Sequence, residues 1–386
     1  MSIRVSLTHR NRQRERAIVA FNALVLRGPA SGVEKSVVEL ARALDTRAAF
    51  DYRLFAPYGD TSLPAAARRV AIPAWCRGRA ARILYELTLM PRALRRVGAD
   101  LLHATAYVAP PRAPCPIVLS VYDLHVYTHA ALCRTANRLH YRWRLPGSIR
   151  RAAAIIVPSQ HTRTALLDRF PDAARKTRVV PLGVAARFLS PVTPARLAEV
   201  RHRYVLPDTY LLFVGTPAPR KNLPGLFAAW AQLHARHPSL RLLLVGAPGG
   251  DPAAHHPPSG VTRLDYVPEA DLPGLYALAR VLVHPSFDEG FGLPVLEAMA
   301  AGCPVVCAGE APAEFAAGAA TFCAPLDAVG LADHVTSLLP ESAARAGVIA
   351  NGRRLATRYT WNATAAAVEA IYRQVLDESP VAPLNQ

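Results

Sequence analysis

The segment HPSFDEGFGLPVLEAMAAGCPVV (284–306) decides the fold of this chain. The apolar residues VLVH (281–284) predict a strand, which Pro285 ends. A glycine-containing loop follows, and Pro294 fits the first turn of a helix that Gly302 stops. Such a loop leads from the carboxyl end of a strand into a helix N-terminus. In parallel α/β sheets, this edge is where ligands bind.

The rest of the chain alternates short apolar runs with amphipathic helical patterns over its 386 residues. This alternation predicts parallel sheets with helices on their faces. A first series of predicted strands lies at 17–26, 52–56, 100–104, 116–121, 153–157 and 178–181, and a second series at 210–215, 241–246, 261–267, 280–286 and 303–308.

The two series of strands predict an α/β protein with two Rossmann-like domains that face a central cleft. We expect an N-terminal domain over residues 1–187 and a C-terminal domain over residues 188–360. The last predicted helix, residues 361–378, lies beyond the second series. We expect it to pack back on the first domain.

The composition is that of a globular protein with an excess of positive charge. Hydrophobic residues make up 51% of the chain and charged residues 19%, and the net charge is +17. Of the 45 basic residues only three are lysines, at Lys35, Lys176 and Lys221. A positive field favours anionic partners such as phosphorylated ligands or an acidic membrane. The chain lacks a nucleic-acid-binding motif and aromatic residues interleaved with its arginines, so no nucleic-acid partner is predicted.

The cysteines and the N-terminus bear on the cellular location. None of the six cysteines forms a C-x-x-C pair, so we predict neither a disulfide framework nor a zinc site, and a reducing cytoplasm fits. Basic residues from Arg4 to Arg16 precede AIVAFNALVL, which is the outline of a signal peptide. No small-residue cleavage site follows, and a first buried strand explains the same residues.

Two glutamates lie in the opening segment, Glu289 in the loop and Glu297 about one turn into the helix. The side chain of Glu297 leans back toward the helix N-terminus and can reach the same cleft. Either glutamate alone could be a solvated surface charge. Both together favour a site for sugar or ribose hydroxyls. Gly290 and Gly292 would let the backbone come close to a ligand.

A second loop in YLLFVGTPAPRKNL (210–223) follows a predicted strand that ends at Gly215. Arg220 and Lys221 are well placed at this sheet edge for a diphosphate, which arginine binds bidentately and lysine as a point charge. The alternative is a solvated charge pair. Asn222 is placed to cap the helix that follows.

Two features of the N-terminal domain are more ambiguous. Gly28, Ser31 and Gly32 form a small-residue turn before the first predicted helix, and Asp123 and His125 come just past another strand. The turn would matter if it faces the second domain across the cleft; otherwise it is only a turn. A histidine near a strand end is more often a packed or capping residue.

Together these stretches resemble the retaining, nucleotide-sugar-dependent glycosyltransferases of family 4, which have the GT-B architecture. The resemblance covers most of the chain and rests on five motifs that occur in order: DLLHATAYVAPPRAPCPIVLSVYDLH, AAIIVPSQHTRTALL, VVPLGV, LFVGTPAPRKNL and HPSFDEGFGLPVLEAMAAGCPVV. The last motif carries the E-x7-E signature of the family, matched by Glu289 and Glu297.

The resemblance implies an enzyme that moves a hexose or deoxyhexose, with mannose the best guess, from a nucleotide-diphosphate sugar. The acceptor would be a glycan or lipid-linked saccharide in cell-surface polysaccharide synthesis, bound by the N-terminal domain. No tightly bound cofactor and no metal are expected. The implied catalytic residues are Arg220, Lys221, Glu289 and Asp123, and the implied donor-binding residues are Gly32, Gly215, Thr216, Arg220, Lys221, Val267, Glu289, Gly290, Phe291, Gly292, Leu293 and Glu297.

Three alternatives stay open at this point. Relatives often carry a histidine near the reacting sugar where this chain has Tyr122; either Tyr122 or His125 would take its place, or the activity would be altered. A sugar-nucleotide epimerase on the same scaffold would use a similar cleft. The basic segment 75–98 predicts either a contact with an anionic membrane, at the inner face of the cytoplasmic membrane, or a domain helix with an arginine-rich outer face.

Overall fold

The computed structural model describes residues 16–26, 32–57, 63, 68–76, 78–247 and 249–378. Most of the segment behind the signal-peptide alternative, including Arg4, lies outside the described residues, as do Gly28 and Ser31 of the predicted turn. The apolar run that begins at residue 17 forms a buried strand, as the preferred alternative predicts.

The first half of the chain forms a seven-stranded parallel sheet. Its strands are β1 (Ile18–Asn22), β2 (Asp51–Phe55), β3 (Arg68–Arg69), β4 (Leu101–Ala104), β5 (Ile117–Ser120), β6 (Ala154–Val157) and β7 (Thr177–Val179), in the order β3-β2-β1-β4-β5-β6-β7. The helices of this half are α1 (Gly32–Arg47), α2 (Arg79–Thr88), α3 (Met90–Val97), α4 (His125–Thr128), α5 (Thr135–Arg151) and α6 (Gln160–Arg169).

The second half forms a six-stranded parallel sheet. Its strands are β8 (Tyr210–Val214), β9 (Arg241–Val245), β10 (Val261–Leu264), β11 (Val281–His284), β12 (Val305–Cys307) and β13 (Thr321–Phe322), in the order β10-β9-β8-β11-β12-β13. The helices are α7 (Ala186–Leu189), α8 (Pro194–Arg203), α9 (Leu223–Arg236), α10 (Leu272–Leu278), α11 (Leu293–Ala301), α12 (Glu310–Ala316), α13 (Ala328–Leu338), α14 (Ala343–Ala356) and α15 (Trp361–Glu378).

The predicted α/β fold class with two sheets is confirmed. Every predicted run contains or overlaps one strand, because strands covered by helices on both faces are continuously apolar. The sequence missed β3 and β13, which are two-residue edge strands with too little apolar pattern to detect. In both sheets the strand order reverses beside the first strand, between β1 and β4 and between β8 and β11. These switch points are where a ligand cleft is expected.

The predicted boundary at residue 187 falls inside α7, between the last strand of the first sheet and the first strand of the second. The domain limits themselves stay a prediction. The C-terminal end of the chain returns to the first half at Gly183, where the start of α15 packs closely. An added Cβ on Gly183 would lie 2.2 Å from the backbone nitrogen of Trp361. None of the described helices is both long and apolar enough to cross a lipid bilayer.

Helix α15 packs against α1 and is fixed by polar contacts to the first half of the chain. The fully buried carboxylate of Glu369 accepts hydrogen bonds from Arg47 Nε at 2.9 Å and from the Tyr52 hydroxyl at 3.2 Å. The Tyr372 hydroxyl lies 2.5 Å from His103 Nδ1. Burial lowers the pKa of His103 to about 3, so this histidine is a neutral packing residue.

The segment 75–98 forms two short helices, α2 and α3, which meet at Leu89. The buried residues of α2 are Arg82, Tyr85 and Glu86. The predicted helix with an arginine-rich outer face is therefore only partly right, because one of its arginines lies inside the protein. Leu84 of α2 is 54% exposed, and Trp75, which precedes the helix in the chain, is 50% exposed. The membrane contact stays a prediction.

We predict that replacement of Glu369 with alanine lowers the free energy of unfolding by about 2 kcal/mol, because it leaves the buried Tyr52 hydroxyl without its acceptor. Urea denaturation followed by circular dichroism measures this change. Asp377→Ala is the matched control, since Asp377 is exposed on the same helix. Equal stability of the two variants would contradict the role given to Glu369.

Candidate active site

A cavity of ≈ 390 Å³ lies between the two sheets, at the carboxyl ends of their central strands. The structure brings every predicted site residue to its wall; these are Gly32, Asp123, Gly215, Thr216, Arg220, Lys221, Val267, Glu289, Gly290, Phe291, Gly292, Leu293 and Glu297. Their convergence on one cavity is a structural fact, while the roles predicted for them stay predictions.

The centre of the cavity holds a group of charges that are paired with one another. Arg220 Nη1 lies 3.1 Å from Glu289 Oε2, and Lys221 Nζ lies 2.5 Å from Glu289 Oε1. His284 Nε2 lies 3.1 Å from the same Oε1. The sequence predicts that the cations face a diphosphate and that Glu289 faces sugar hydroxyls. In the structure the glutamate also neutralises part of the buried positive charge.

Burial and mutual attraction set the protonation states of this charge cluster, which comprises Arg220, Lys221, Glu289 and His284. Burial alone would raise the pKa of Glu289, but Lys221 and Arg220 hold it well below its usual range. Burial lowers the pKa of Lys221, and Glu289 partly offsets that effect. Burial and then Lys221 lower the pKa of His284, so the imidazole is neutral at pH 7. With Lys221 protonated in its ion pair to Glu289, the cluster carries a net charge of +1.

Asn222 joins the two loops that carry these charges. It adopts a left-handed backbone conformation with φ of 57°, which asparagine tolerates better than most residues. Its side-chain oxygen caps α9 by accepting from Gly225 N at 3.1 Å, and its amide nitrogen donates to Pro285 O at 3.1 Å. A further bond runs from Phe287 N to Arg220 O at 2.9 Å. The cap predicted at Asn222 is therefore confirmed, and the same residue fixes the spacing of Arg220 and Glu289.

The two glycines of the loop are required for different reasons. Gly292 is the N-cap of α11 and has φ of 103°, a conformation that residues with a Cβ rarely adopt. A Cβ on Gly290 would lie only 1.8 Å from the backbone oxygen of Tyr122 in the N-terminal half. The Gly290 carbonyl also accepts from Ser159 Oγ at 2.7 Å. The sequence predicts that Gly290 allows close approach of a ligand, and in the structure its backbone also packs against the backbone of Tyr122 in the N-terminal half.

Glu297 faces the N-terminal half of the cavity. Its Oε2 accepts a hydrogen bond from the Tyr276 hydroxyl at 2.9 Å, and its Oε1 lies 4.0 Å from Lys35 Nζ of α1. The sequence predicts no place at this site for either Lys35 or Tyr276. The rarity of lysine was a usable signal for Lys35, since two of the three lysines in the chain line this cavity. No feature of the sequence around Tyr276 indicates that it belongs to the site.

Two protein-family models match this chain, one in each of the halves that form the cavity. The family model described as "Glycosyltransferase Family 4" matches residues 30–188, and the model described as "Glycosyl transferases group 1" matches residues 208–341. The O-antigen chain mannosyltransferase B of Escherichia coli is 31% identical over 293 residues, which cover 72% of this chain and 75% of that protein. The chain belongs to the group 1 glycosyltransferases of family 4.

Another relative is similar in sequence to this chain, and solved structures share its fold. A D-inositol 3-phosphate glycosyltransferase of Kineococcus radiotolerans is 29% identical over 320 residues, with 72% of each chain covered. The sucrose-phosphate synthase of Thermosynechococcus elongatus superposes with a TM-score of 0.73 at 23% identity, over 94% of this chain and 100% of that one. Anabaena Alr3699/HepE, solved with UDP-glucose, superposes with a TM-score of 0.67 at 18% identity, over 93% and 98% of the two chains. The fold is GT-B, and the protein is a glycosyltransferase of the class that uses nucleotide-sugar donors.

In this glycosyltransferase Asp123 lies beside the charge cluster. Its Oδ2 accepts from the Tyr107 hydroxyl at 2.6 Å, and its Oδ1 lies 3.1 Å from His125 Nδ1. Burial would raise the pKa of Asp123, but His125 and Arg220 hold it well below its usual range, so the carboxylate is ionised. Tyr107 adopts φ of 63°, a costly conformation for an aromatic residue. Tyr122 and His125 both line the cavity.

A second charge cluster, which the sequence did not reveal, joins the two halves of the glycosyltransferase at Asp288. This buried carboxylate lies 2.7 Å from His161 Nε2 and 3.1 Å from His129 Nδ1, and 3.5 Å from His125 Nε2. His161 Nδ1 lies 3.0 Å from Glu310 Oε2. All three histidines belong to the N-terminal half, so these contacts connect the two halves across the cleft.

We predict that Gly290→Ala separates the two halves, because the added Cβ overlaps the Tyr122 carbonyl. Turnover with any active donor should fall by about tenfold or more, since a displacement of about 1 Å at an active site has effects of this size. Small-angle X-ray scattering should show a larger radius of gyration. Gly347→Ala is the matched control, because an added Cβ there meets open space. Unchanged scattering and turnover for Gly290→Ala would refute the contact's importance.

The cleft contact is also expected to depend on pH. The hydrogen bond to Asp288 raises the pKa of His161 to about 9, against the opposing effect of burial, so His161 is cationic at pH 7. A raised pKa stabilises the contact fully below about pH 6.5, and this contribution is lost as pH rises through about 9. The radius of gyration of the ligand-free protein should therefore increase across pH 8–10, a window set by that pKa.

His161→Gln should remove that transition, whereas His255→Gln, at an exposed position that ends a short 3₁₀ helix, should retain it. Comparison of the two variants separates His161 from tyrosines, lysines and cysteines that titrate in the same range. A wild-type-like transition in His161→Gln would assign the pH dependence to other groups.

Proposed function

We propose that this protein is a retaining glycosyltransferase that moves a hexose, with mannose the leading candidate, from a nucleotide-diphosphate sugar to a glycan or lipid-linked saccharide. We assign it to cell-surface polysaccharide synthesis. The E. coli relative that is 31% identical bears the name of an O-antigen chain mannosyltransferase, which supports the sugar and the pathway class. HepE, with the same fold, binds UDP-glucose, which supports the donor class.

The observation that carries this proposal is the largely buried charge cluster beside the loop that leads into α11. Arg220 and Lys221 are held with a net excess of one positive charge beside backbone N–H groups that favour anions. A diphosphate supplies the missing negative charge. In this proposal Arg220 and Lys221 grip the diphosphate, and the loop backbone from Gly290 to Leu293 lines the sugar and phosphates.

The remaining donor contacts follow from the positions of the wall residues. Glu297, fixed by Tyr276, accepts from the ribose hydroxyls, and Val267 borders the base. Glu289 uses its remaining lone-pair positions for hydroxyls of the transferred sugar, and Gly32 brings α1 to the phosphates. Gly215 and Thr216 complete the wall where β8 ends.

In this proposal the configuration at the anomeric carbon is retained, because the acceptor oxygen attacks from the same face that the diphosphate leaves. The bond between the anomeric carbon and the diphosphate oxygen breaks as the acceptor oxygen bonds to the same face. The acceptor proton moves to the departing phosphate oxygen. Arg220 and Lys221 stabilise the charge that develops there, and the ionised Asp123 orients the acceptor hydroxyl.

We also propose that the N-terminal domain binds the acceptor at an anionic membrane face in the cytoplasm. Five of the nine exposed large apolar side chains in the described residues lie on the segments around α2 and α5; they are Trp75, Leu84, Leu89, Leu139 and Trp143. Helix α5 adds arginines to the same surface. Apolar side chains with basic neighbours are typical of proteins that bind anionic membranes.

We predict that Lys221→Ala lowers turnover by about 100-fold to 1000-fold, as the loss of a single anion-stabilising group does in other enzymes. Transfer from radiolabelled GDP-mannose, UDP-glucose and other nucleotide sugars to a lipid extract measures turnover. Arg236→Ala is the control, because Arg236 pairs with Asp333 on the exposed surface of the same half. Near-normal turnover in Lys221→Ala would refute the role of the lysine.

The same assay without acceptor tests the reaction type. A transferase leaves the donor sugar unchanged apart from slow hydrolysis, whereas an epimerase converts it to its epimer. Epimerised nucleotide sugar as the main product would overturn the proposed function.

A further inference from the structure

The proposed donor contacts leave Lys35 of the N-terminal half without a role. Lys35 lies on α1 and lines the donor cavity, and its side chain is 19% exposed. It belongs to the first turn of the helix, where the helix dipole disfavours a positive charge. The stability of α1 therefore does not explain a lysine at this position.

The three lysines of the chain differ in their hydrogen bonds. Lys176 donates to three backbone carbonyl oxygens, and Lys221 donates to Glu289. Lys35 Nζ donates to no group among the described residues, and its ion pair with Glu297 Oε1 is 4.0 Å long. That distance is too long for a hydrogen bond. An ammonium group has three donors, so Lys35 has donors to offer to a ligand in the cavity.

The carboxylate opposite Lys35 is also only partly used. Glu297 Oε2 accepts a hydrogen bond from the hydroxyl of the fully buried Tyr276, at 2.9 Å. Within the described part of the chain, Oε1 accepts none. Glu297 is a buried residue of the cavity wall, and a buried acceptor without a donor is costly. Tyr276 thus fixes one oxygen of the carboxylate and leaves the other beside Lys35.

The spacing of Lys35 Nζ and Glu297 Oε1 suits one bridging hydroxyl group. A hydroxyl both donates and accepts, whereas an ammonium only donates and a carboxylate only accepts. Because 4.0 Å is less than twice a hydrogen-bond length of about 2.8 Å, one oxygen atom can reach both groups. A phosphate oxygen in the same place would be repelled by the carboxylate. An apolar group would leave both atoms unpaired.

We propose that Lys35 and Glu297 form a clamp for a single hydroxyl of the donor ribose, which donates to Glu297 Oε1 and accepts from Lys35 Nζ. The inference rests on the proposed function, which brings the ribose to Glu297. Glu297 alone accepts from either ribose hydroxyl, and Lys35 selects the one that lies between the two side chains. Lys35 is therefore a specificity-determining residue against donors that lack this hydroxyl. Because the two side chains belong to different halves, the ribose also joins α1 to α11.

The test is calorimetric titration of the full-length protein with a nucleoside diphosphate and with its 2′-deoxy and 3′-deoxy forms. A thermal-shift screen first selects the nucleoside diphosphate that raises the melting temperature most. For one of the two analogues, the wild type should bind about 100-fold more weakly than it binds the parent, because two charged groups lose their partner. In Lys35→Met this ratio should fall to about tenfold, since only the contact with Glu297 is lost. The ratio for the other analogue should not change.

Arg42→Met is the matched control, because Arg42 lies on the same helix, is 43% exposed and pairs with Glu39. It should keep the wild-type ratio for both analogues. Wild-type ratios for both analogues in Lys35→Met would overturn the clamp. The same result together with a raised KM for the acceptor would assign Lys35 to the acceptor, which also overturns the clamp.

Titration with the parent nucleoside separates failure of the clamp from failure of the proposed function. Lys35→Met should still bind the diphosphate more tightly than the nucleoside, which also shows that the variant is folded. If the wild type binds the diphosphate and the nucleoside equally, the proposed donor site is wrong and the clamp falls with it. If the wild type prefers the diphosphate but Lys35→Met keeps the wild-type ratios, only the clamp is wrong.

Discussion

The ion pairs between Glu289 and the neighbouring cations Arg220 and Lys221 are the interaction on which the site depends. The buried Lys221 and the partly exposed Arg220, side by side, would repel one another and lower the stability of the loops that carry them. Glu289 removes most of that cost without removing all of the positive charge, because it balances one cation of two. The neutral His284 adds a hydrogen bond and no charge. The one positive charge that remains in this cluster is available to attract an anionic donor.

The same loop ties the chemistry to the closure of the cleft. Glu289 precedes Gly290, whose backbone touches Tyr122, and follows Asp288, which contacts histidines of the opposite half. Three successive residues, Asp288, Glu289 and Gly290, therefore supply both the negative charge beside the donor-site cations and the contact with the opposite half. A change that separates the two halves would move Glu289, and a change of charge at Glu289 would affect the loop that contacts the N-terminal half.

The sequence predicted the architecture because its signals are local. Continuous apolar runs identify buried parallel strands, and the turn with Gly292 and Pro294 identifies a helix N-terminus at a sheet edge. It also identified Arg220, Lys221, Glu289 and Glu297, since each stands beside such an edge. It could not predict that Glu289 pairs with cations 68 and 69 positions away, because that depends on how the loops after β8 and β11 lie together. Nor could it place His161 against Asp288, a contact across 127 positions.

The central claim is that the cavity binds its donor chiefly through the diphosphate. The most direct measurement is calorimetric titration of the wild type with UDP and GDP, each compared with its nucleoside, uridine or guanosine. The account predicts that the nucleoside diphosphate preferred by the enzyme binds about 100-fold more tightly than its nucleoside, a difference of about 2.7 kcal/mol. Equal affinity for the two would show that Arg220, Lys221 and Glu289 form a structural ion-pair network that takes no part in donor binding.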